Sequence, residues 1–317
     1  MRALLALVCM FASPFYLEAQ ITRNATQLVP SGKGHGIPAP EDAASDDAVM
    51  SDSATSGNGI AYHGGPVMPG GVKVYFIWYG NWKNGSQASD SQSTVNLINA
   101  LYGSGGVGGS GYALITSTYG DRSHNVAGKF ARVRSITNNY SGGKSLSDSA
   151  VQKVVSGAIT SKALPQDGNS LYFVLTSSDV RETSGFCSQY CGWHDHFKLS
   201  GSDIKYVFVG NPDRCPYSCE AQITSPNNNS GADGMASVMV HETEEALSDP
   251  DLNAWYDSTG DENADKCAWK FGPTIGTIGN AAYNQTLGGK TWLIQMNWEN
   301  TRKGGCAQTK GGIFYKH

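Results

Sequence analysis

Apolar positions along the chain fall into two kinds of run. VKVYFIWYG, Val72 to Gly80, is apolar almost throughout, as expected of a strand inside a sheet. LYFVLTS from Leu171 and IKYVFVG from Ile204 are shorter β-rich runs of the same kind, and TWLIQMNW from Thr291 predicts a closing strand. Helical spacing occurs in three places. In SDSQSTVNLINALYG, Val95, Leu97, Ile98 and Leu101 form one face before glycines end it. In SLSDSAVQKVVSGAI, a capping serine precedes Val151, Val154, Val155 and Ile159. In GADGMASVMVHETEEALSD, Asp233 is placed to cap a helix with Met235, Val238, Met239 and Ala246 on its buried face. Pro250 bars its continuation beyond Asp249. GSGGVGGSG, 103–111, reads as a flexible loop. The mixture predicts one α/β or α+β domain over 59–317, with a central sheet, a zincin-like HExxE helix and disulfide-tied loops.

The first residues follow another pattern. Met1-Arg2 is positive, Ala3 to Ala12 is an apolar run too short to span a bilayer, and Leu17-Glu18-Ala19 offers a cleavage site. Residues 1–19 therefore read as a secretory signal, with a membrane anchor as the alternative. Residues 20–58, rich in Ser, Asp, Ala, Gly and Pro, read as a disordered linker or propeptide-like arm. No later run is long enough for a membrane span, so no stable insertion is expected after cleavage. Export implies an extracellular, periplasmic or wall-associated protein, and oxidised cysteines. With Cys9 in the signal, six remain: Cys187, Cys191, Cys215, Cys219, Cys267 and Cys306. Spacing suggests the pairs Cys187–Cys191, Cys215–Cys219 and Cys267–Cys306. A zinc site built from CSQYC and CPYSC is the rival, although its spacing is not the usual C-x2-C.

Composition narrows the class. With 39 glycines and only 16% charged residues, the chain suits a loop-rich, strand-containing fold better than a helical bundle. A net charge of −4 gives no basic field for nucleic acid.

The sharpest chemical signal is HETEE, His241 to Glu245. A zinc peptidase helix would have His at the fifth position. Even so, His241 and Glu245 stand one turn apart and point the same way, and Glu242 falls beside a metal-bound water as a general base. Downstream, Glu262 is the expected third ligand, with Asp265 orienting His241; the two roles are exchangeable. Asp251 would serve in a metzincin-like continuation. Zinc is the first choice of divalent ion, with manganese, iron or calcium as alternatives for so anionic a set. In GFCSQYCGWHDHF, 185–197, a disulfide-held loop would present His194 as a site wall, a ligand or an oxyanion partner. The bland alternative is a solvated face formed by Glu242, Glu244 and Glu245. GGKS and GGKT lack P-loop spacing. Sequons stand at Asn24, Asn84, Asn139, Asn228 and Asn284.

Taken together, AYHGGPVMPGG, IWYGNW, GFCSQYCGWH, VGNPDRCPYSC, GADGMASVMVHETEEALSDPDLNAWYD, ENADKCAW and WLIQMNW resemble the phosphate-induced protein 1 family, also called the EXORDIUM family. The resemblance runs from about residue 60 to 308. That family's helix reads HELAE, so Glu245 matches its pattern. His241, Glu242, Glu262, Asp265, His194 and the six cysteines also fall on its landmarks, whereas Asp251 does not. The acidic DPDLN stands where plant relatives read NPLVN. The resemblance implies a secreted protein associated in plants with the cell wall and growth, without implying a reaction. Two functions follow as expectations. One is a secreted metal-dependent hydrolase, acting on peptides or a cell-surface polymer. The other is a non-enzymatic extracellular protein with a structural metal site.

Overall fold

The run from Val72 is central because water suits almost none of it. Val72–Tyr79 (β1) is buried along its length except at Lys73 and anchors a five-stranded sheet. Its companions are Phe130–Asn138 (β2), Ser170–Thr176 (β3), Gly192–Leu199 (β4) and Ser202–Gly210 (β5), in the order β2-β1-β3-β5-β4. Strands β1, β2, β3 and β5 are parallel, and β4 returns antiparallel along β5. Every residue of β3 is buried, as expected for a parallel strand covered on both faces. The structure, a computed structural model, describes residues 58–312. The signal, nearly all of the proposed arm, Cys9 and Asn24 lie outside the described residues.

Three helices match the periodic segments. Gln92–Leu101 (α1) buries Thr94, Leu97, Ile98 and Leu101, leaving Val95 partly exposed. Asp148–Thr160 (α2) is capped by Ser147, whose Oγ accepts from the Ala150 amide. Ser230–Ser248 (α3) stops before Asp249-Pro250 as the sequence requires. Its cap is Asn229, which accepts from the Ala232 amide at 3.0 Å, and not Asp233. Asp233 lies one turn inside, accepting from Ser225 and Asn227. Helix α3 packs on α1, β4 and β5, and nearly every residue in it is buried. The solvated-face alternative fails: Glu242, Glu244 and Glu245 are each 0% exposed.

Several expectations need correction. TWLIQMNW is not one strand: pairing covers Lys290–Trp292 and Asn297–Trp298 only. Between them, backbone amides of Ile294, Gln295 and Met296 donate to Asn284, Ser237 and Lys270, which occupies the groups a ladder would need. GGKT supplies a hairpin turn, with Gly288 and Gly289 at φ +60° and +70°. The disulfides are Cys187–Cys215, Cys191–Cys219 and Cys267–Cys306. The first two cross between the cysteine loops where spacing suggested bridges within each. The loops follow β3 and β5, neighbours in the sheet, so their cysteines meet side by side. With all four sulfurs bonded, the four-cysteine zinc alternative is removed. His194 lies on strand β4, not on a disulfide-held loop.

A candidate metal centre

The site forms where α3 crosses β4, and Gly192 sets the approach. A Cβ there would stand 2.7 Å from Val238 Cγ1 and 3.1 Å from Glu242 Oε1, so glycine lets the helix lie against the strand. His194 is two residues further along β4 and shares that face. On α3, His241, Glu242 and Glu245 project toward it. The third contributor is the loop 261–267. Asn263 Nδ2 donates to the Glu244 carbonyl and to Ser248 Oγ at the end of α3, and the Cys267–Cys306 bridge fixes the loop from the other side. The turn between helix and loop is organised by Asp249, whose carboxylate accepts the amides of Asn253, Ala254 and Trp255.

Two sets of converging atoms result. His241 Nε2 lies 2.9 Å from Glu245 Oε1 and 3.4 Å from Asp265 Oδ1. His194 Nδ1 lies 3.4 Å from Glu242 Oε2 and 3.7 Å from Glu245 Oε2. Each set, His241–Glu245–Asp265 and His194–Glu242–Glu245, gathers its ligand atoms within 4.8 Å of one another. Glu262 Oε1 lies 3.7 Å from His194 Nε2. Side-chain exposure is at most 5% across these residues, the largest value being that of Asp265.

The polar atoms are close without being satisfied. His241 Nε2, Glu242 Oε1, Glu245 Oε2, Asp265 Oδ1 and both Glu262 oxygens are buried and make no hydrogen bond. The 2.9 Å approach of His241 to Glu245 is thus a contact without hydrogen-bond alignment. Buried polar groups are rarely left so. Gln295 Nε2 lies at His241 Nδ1 and fixes the ring with Nε2 toward the carboxylates; ligation through Nε2 places the ring proton on Nδ1, with the Gln295 amide turned so that its oxygen accepts it. His194 Nε2 contacts the Asp249 carbonyl at 3.2 Å, so it carries the ring proton and leaves the Nδ1 lone pair facing Glu242 and Glu245.

Electrostatics agree with the geometry. Burial, reinforced by the neighbouring carboxylates, pushes Glu242 and Glu262 well above the usual carboxyl range, and Glu245 to about 8. Burial drives His194 down to about 4, which leaves it neutral. It also pulls His241 down, but Glu245 and Asp265 outweigh it and hold that imidazole well above its ordinary value. The cluster therefore demands positive charge, as protons or as a cation. The residues fit a divalent ion, with imidazole and carboxylate donors suited to zinc or manganese.

Of the two loop acids, the structure brings Asp265, not Glu262, to His241. Asp265 stands at the carboxylate-facing nitrogen of His241, and Glu262 faces His194. Orientation of His241 falls to Gln295, whose only signal in the sequence was a polar residue inside an apolar run. Asp251 lies elsewhere, with His196, Asp203 and Lys205. Asp203 and Asp251 there are paired with lysines.

Comparison with known proteins agrees with the sequence landmarks. The family model "Phosphate-induced protein 1 conserved region" matches residues 60–308. Protein EXORDIUM-like 3 of Arabidopsis thaliana is 32% identical, over 76% of this chain and 80% of its own. EXORDIUM-like 5 of the same plant is 30% identical, over 77% and 76%. Protein PHOSPHATE-INDUCED 1 of Nicotiana tabacum is 25% identical, over 72% and 79%.

Proposed function

This chain belongs to the phosphate-induced protein 1 family, and from that premise we propose that it is an exported metalloprotein whose buried centre hydrolyses peptide bonds. Three disulfides are consistent with an extracellular protein. The observation that carries the metal reading is the convergence of buried, unbonded donor atoms from His241, Glu242, Glu245, Glu262 and Asp265 around His194. A divalent ion there would supply a Lewis acid and lower the pKa of a bound water. Glu242 is the base: its Oε1 is buried and unengaged, free to take a proton from that water and return it to a leaving amine. Asp265 and Glu245 hold charge opposite His241, and Gln295 fixes the ring.

A second reading has its own support. Burial of every ligand favours a structural ion in a non-enzymatic extracellular protein, because a peptide would reach the centre only after part of its cover opened. One variant separates the two. Glu242→Gln is expected to retain the ion at His241, Glu245 and Asp265 and to lose hydrolysis of a broad peptide panel by at least the roughly 100-fold that a general base contributes. Wild-type protein that holds metal yet cleaves nothing in the panel establishes the structural reading.

A further inference from the structure

We propose that the centre is dinuclear: two divalent cations share the Glu245 carboxylate, one also held by His241 and Asp265, the other by His194 and Glu242. This rests on the metal reading above and extends it. The two oxygens of Glu245 face different imidazoles, Oε1 toward His241 at 2.9 Å and Oε2 toward His194 at 3.7 Å. That is the disposition of a bridging carboxylate, and such ions stand about 3.5–4 Å apart in hydrolytic two-metal sites.

Charge points the same way. Glu242, Glu245, Glu262 and Asp265 bring four buried carboxyl groups against two imidazoles. With all four ionised, one divalent ion among neutral imidazoles balances two of the charges and leaves the other two to protons, whereas two ions balance all four. Uncompensated buried charge is costly. A single ion at His241 would also leave the His194 Nδ1 lone pair against Glu242 and Glu245, since Nε2 is committed to the Asp249 carbonyl. Glu242, 3.4 Å away, can meet that lone pair only when protonated, and the second ion would take the place of that proton. Glu262, with both oxygens unbonded, lies 3.7 Å from the other ring nitrogen of His194, Nε2.

Rival sites do not confuse the count. All six cysteines of the described residues are in disulfides, and the His196–Asp203–Asp251 group is already neutralised by Lys198 and Lys205.

The test is the metal content of the exported protein, stripped with chelator, re-equilibrated with zinc or manganese and desalted. Two ions per chain are expected. Asp265→Asn and His194→Gln should each retain one ion, and His196→Ala should retain two. One ion in the wild type overturns the dinuclear centre while leaving the metal reading intact, and none overturns both. Electron paramagnetic resonance of the manganese-loaded wild type needs no variant: a spin-coupled pair is expected, and the spectrum of isolated ions overturns the proposal.

Discussion

At the scale of single residues, the chemistry was legible where a side chain announces itself and illegible where it acts through another. His241, Glu242 and Glu245 stand out because their spacing puts them on one helical face. Asp265 and Glu262 stand out as acids in a short run, but spacing cannot tell which reaches His241, because that depends on how Asn263 and the Cys267–Cys306 bridge pin the loop. Gln295 was invisible as a site residue, since nothing local distinguishes a ring-orienting amide from any polar residue in an apolar segment. It yields a prediction. Gln295→Ala should weaken metal affinity about 10–100-fold with the fold retained, as read by chelator competition beside a melting curve. Unchanged affinity would remove Gln295 from the site. The Asn284 sequon shows the converse: its amide donates to the Phe271 and Ile294 carbonyls from a buried position, so the motif marks a core bracket in the folded protein.

At the scale of elements, periodicity located β1, β3, β5 and all three helices, because each buries a regular face. It missed β2 and β4. Arg132, Arg134 and Asn138 interrupt β2, an outer strand with exposed positions, and β4 is the other edge, carrying His194, Asp195, His196 and Lys198 in sequence. Edge strands need no continuous apolar run, so their signal is weak. Cysteine pairing failed for a related reason: it follows the neighbouring ends of β3 and β5, which spacing within a motif does not reveal. Helix α3 gives a contrast between adjacent acids. Burial holds Glu244 well above the usual carboxyl range, and it lies with Thr116 and Asn297, apart from the histidines. Its Oε2 accepts from Asn297 while Oε1 makes no hydrogen bond, and with no histidine beside it, it is a neutral core group. Glu244→Gln should therefore keep full metal content and shift stability by no more than about 1 kcal/mol, whereas Glu245→Gln should lose metal. Metal analysis of the two variants side by side checks this.

For the whole molecule, fold class and family were legible from the landmarks, and the site's reaction was not, because catalysis depends on access to a centre that is sealed here. Overall stability has a pH signature away from the centre. Burial, with Asp213 beside it, raises Glu220 from 4.5 to about 8. A carboxyl raised in this way keeps its proton in the folded state after the unfolded chain has released it. Its contribution is full below about 4.5 and is lost as pH rises toward 8. Glu220→Gln should accordingly match the wild type near the bottom of that window and exceed it above pH 8, by about 1–3 kcal/mol after allowance for partial solvation. Denaturant titrations at the two ends would show it, and equal stability at both would refute it. The central claim is that the buried carboxylates are balanced by metal. Its most direct test is anomalous diffraction at the zinc edge from crystals of the metal-loaded protein. The account predicts density among His241, Glu245 and Asp265. A well-ordered site with no anomalous peak, its carboxyls held instead by protons, would contradict it.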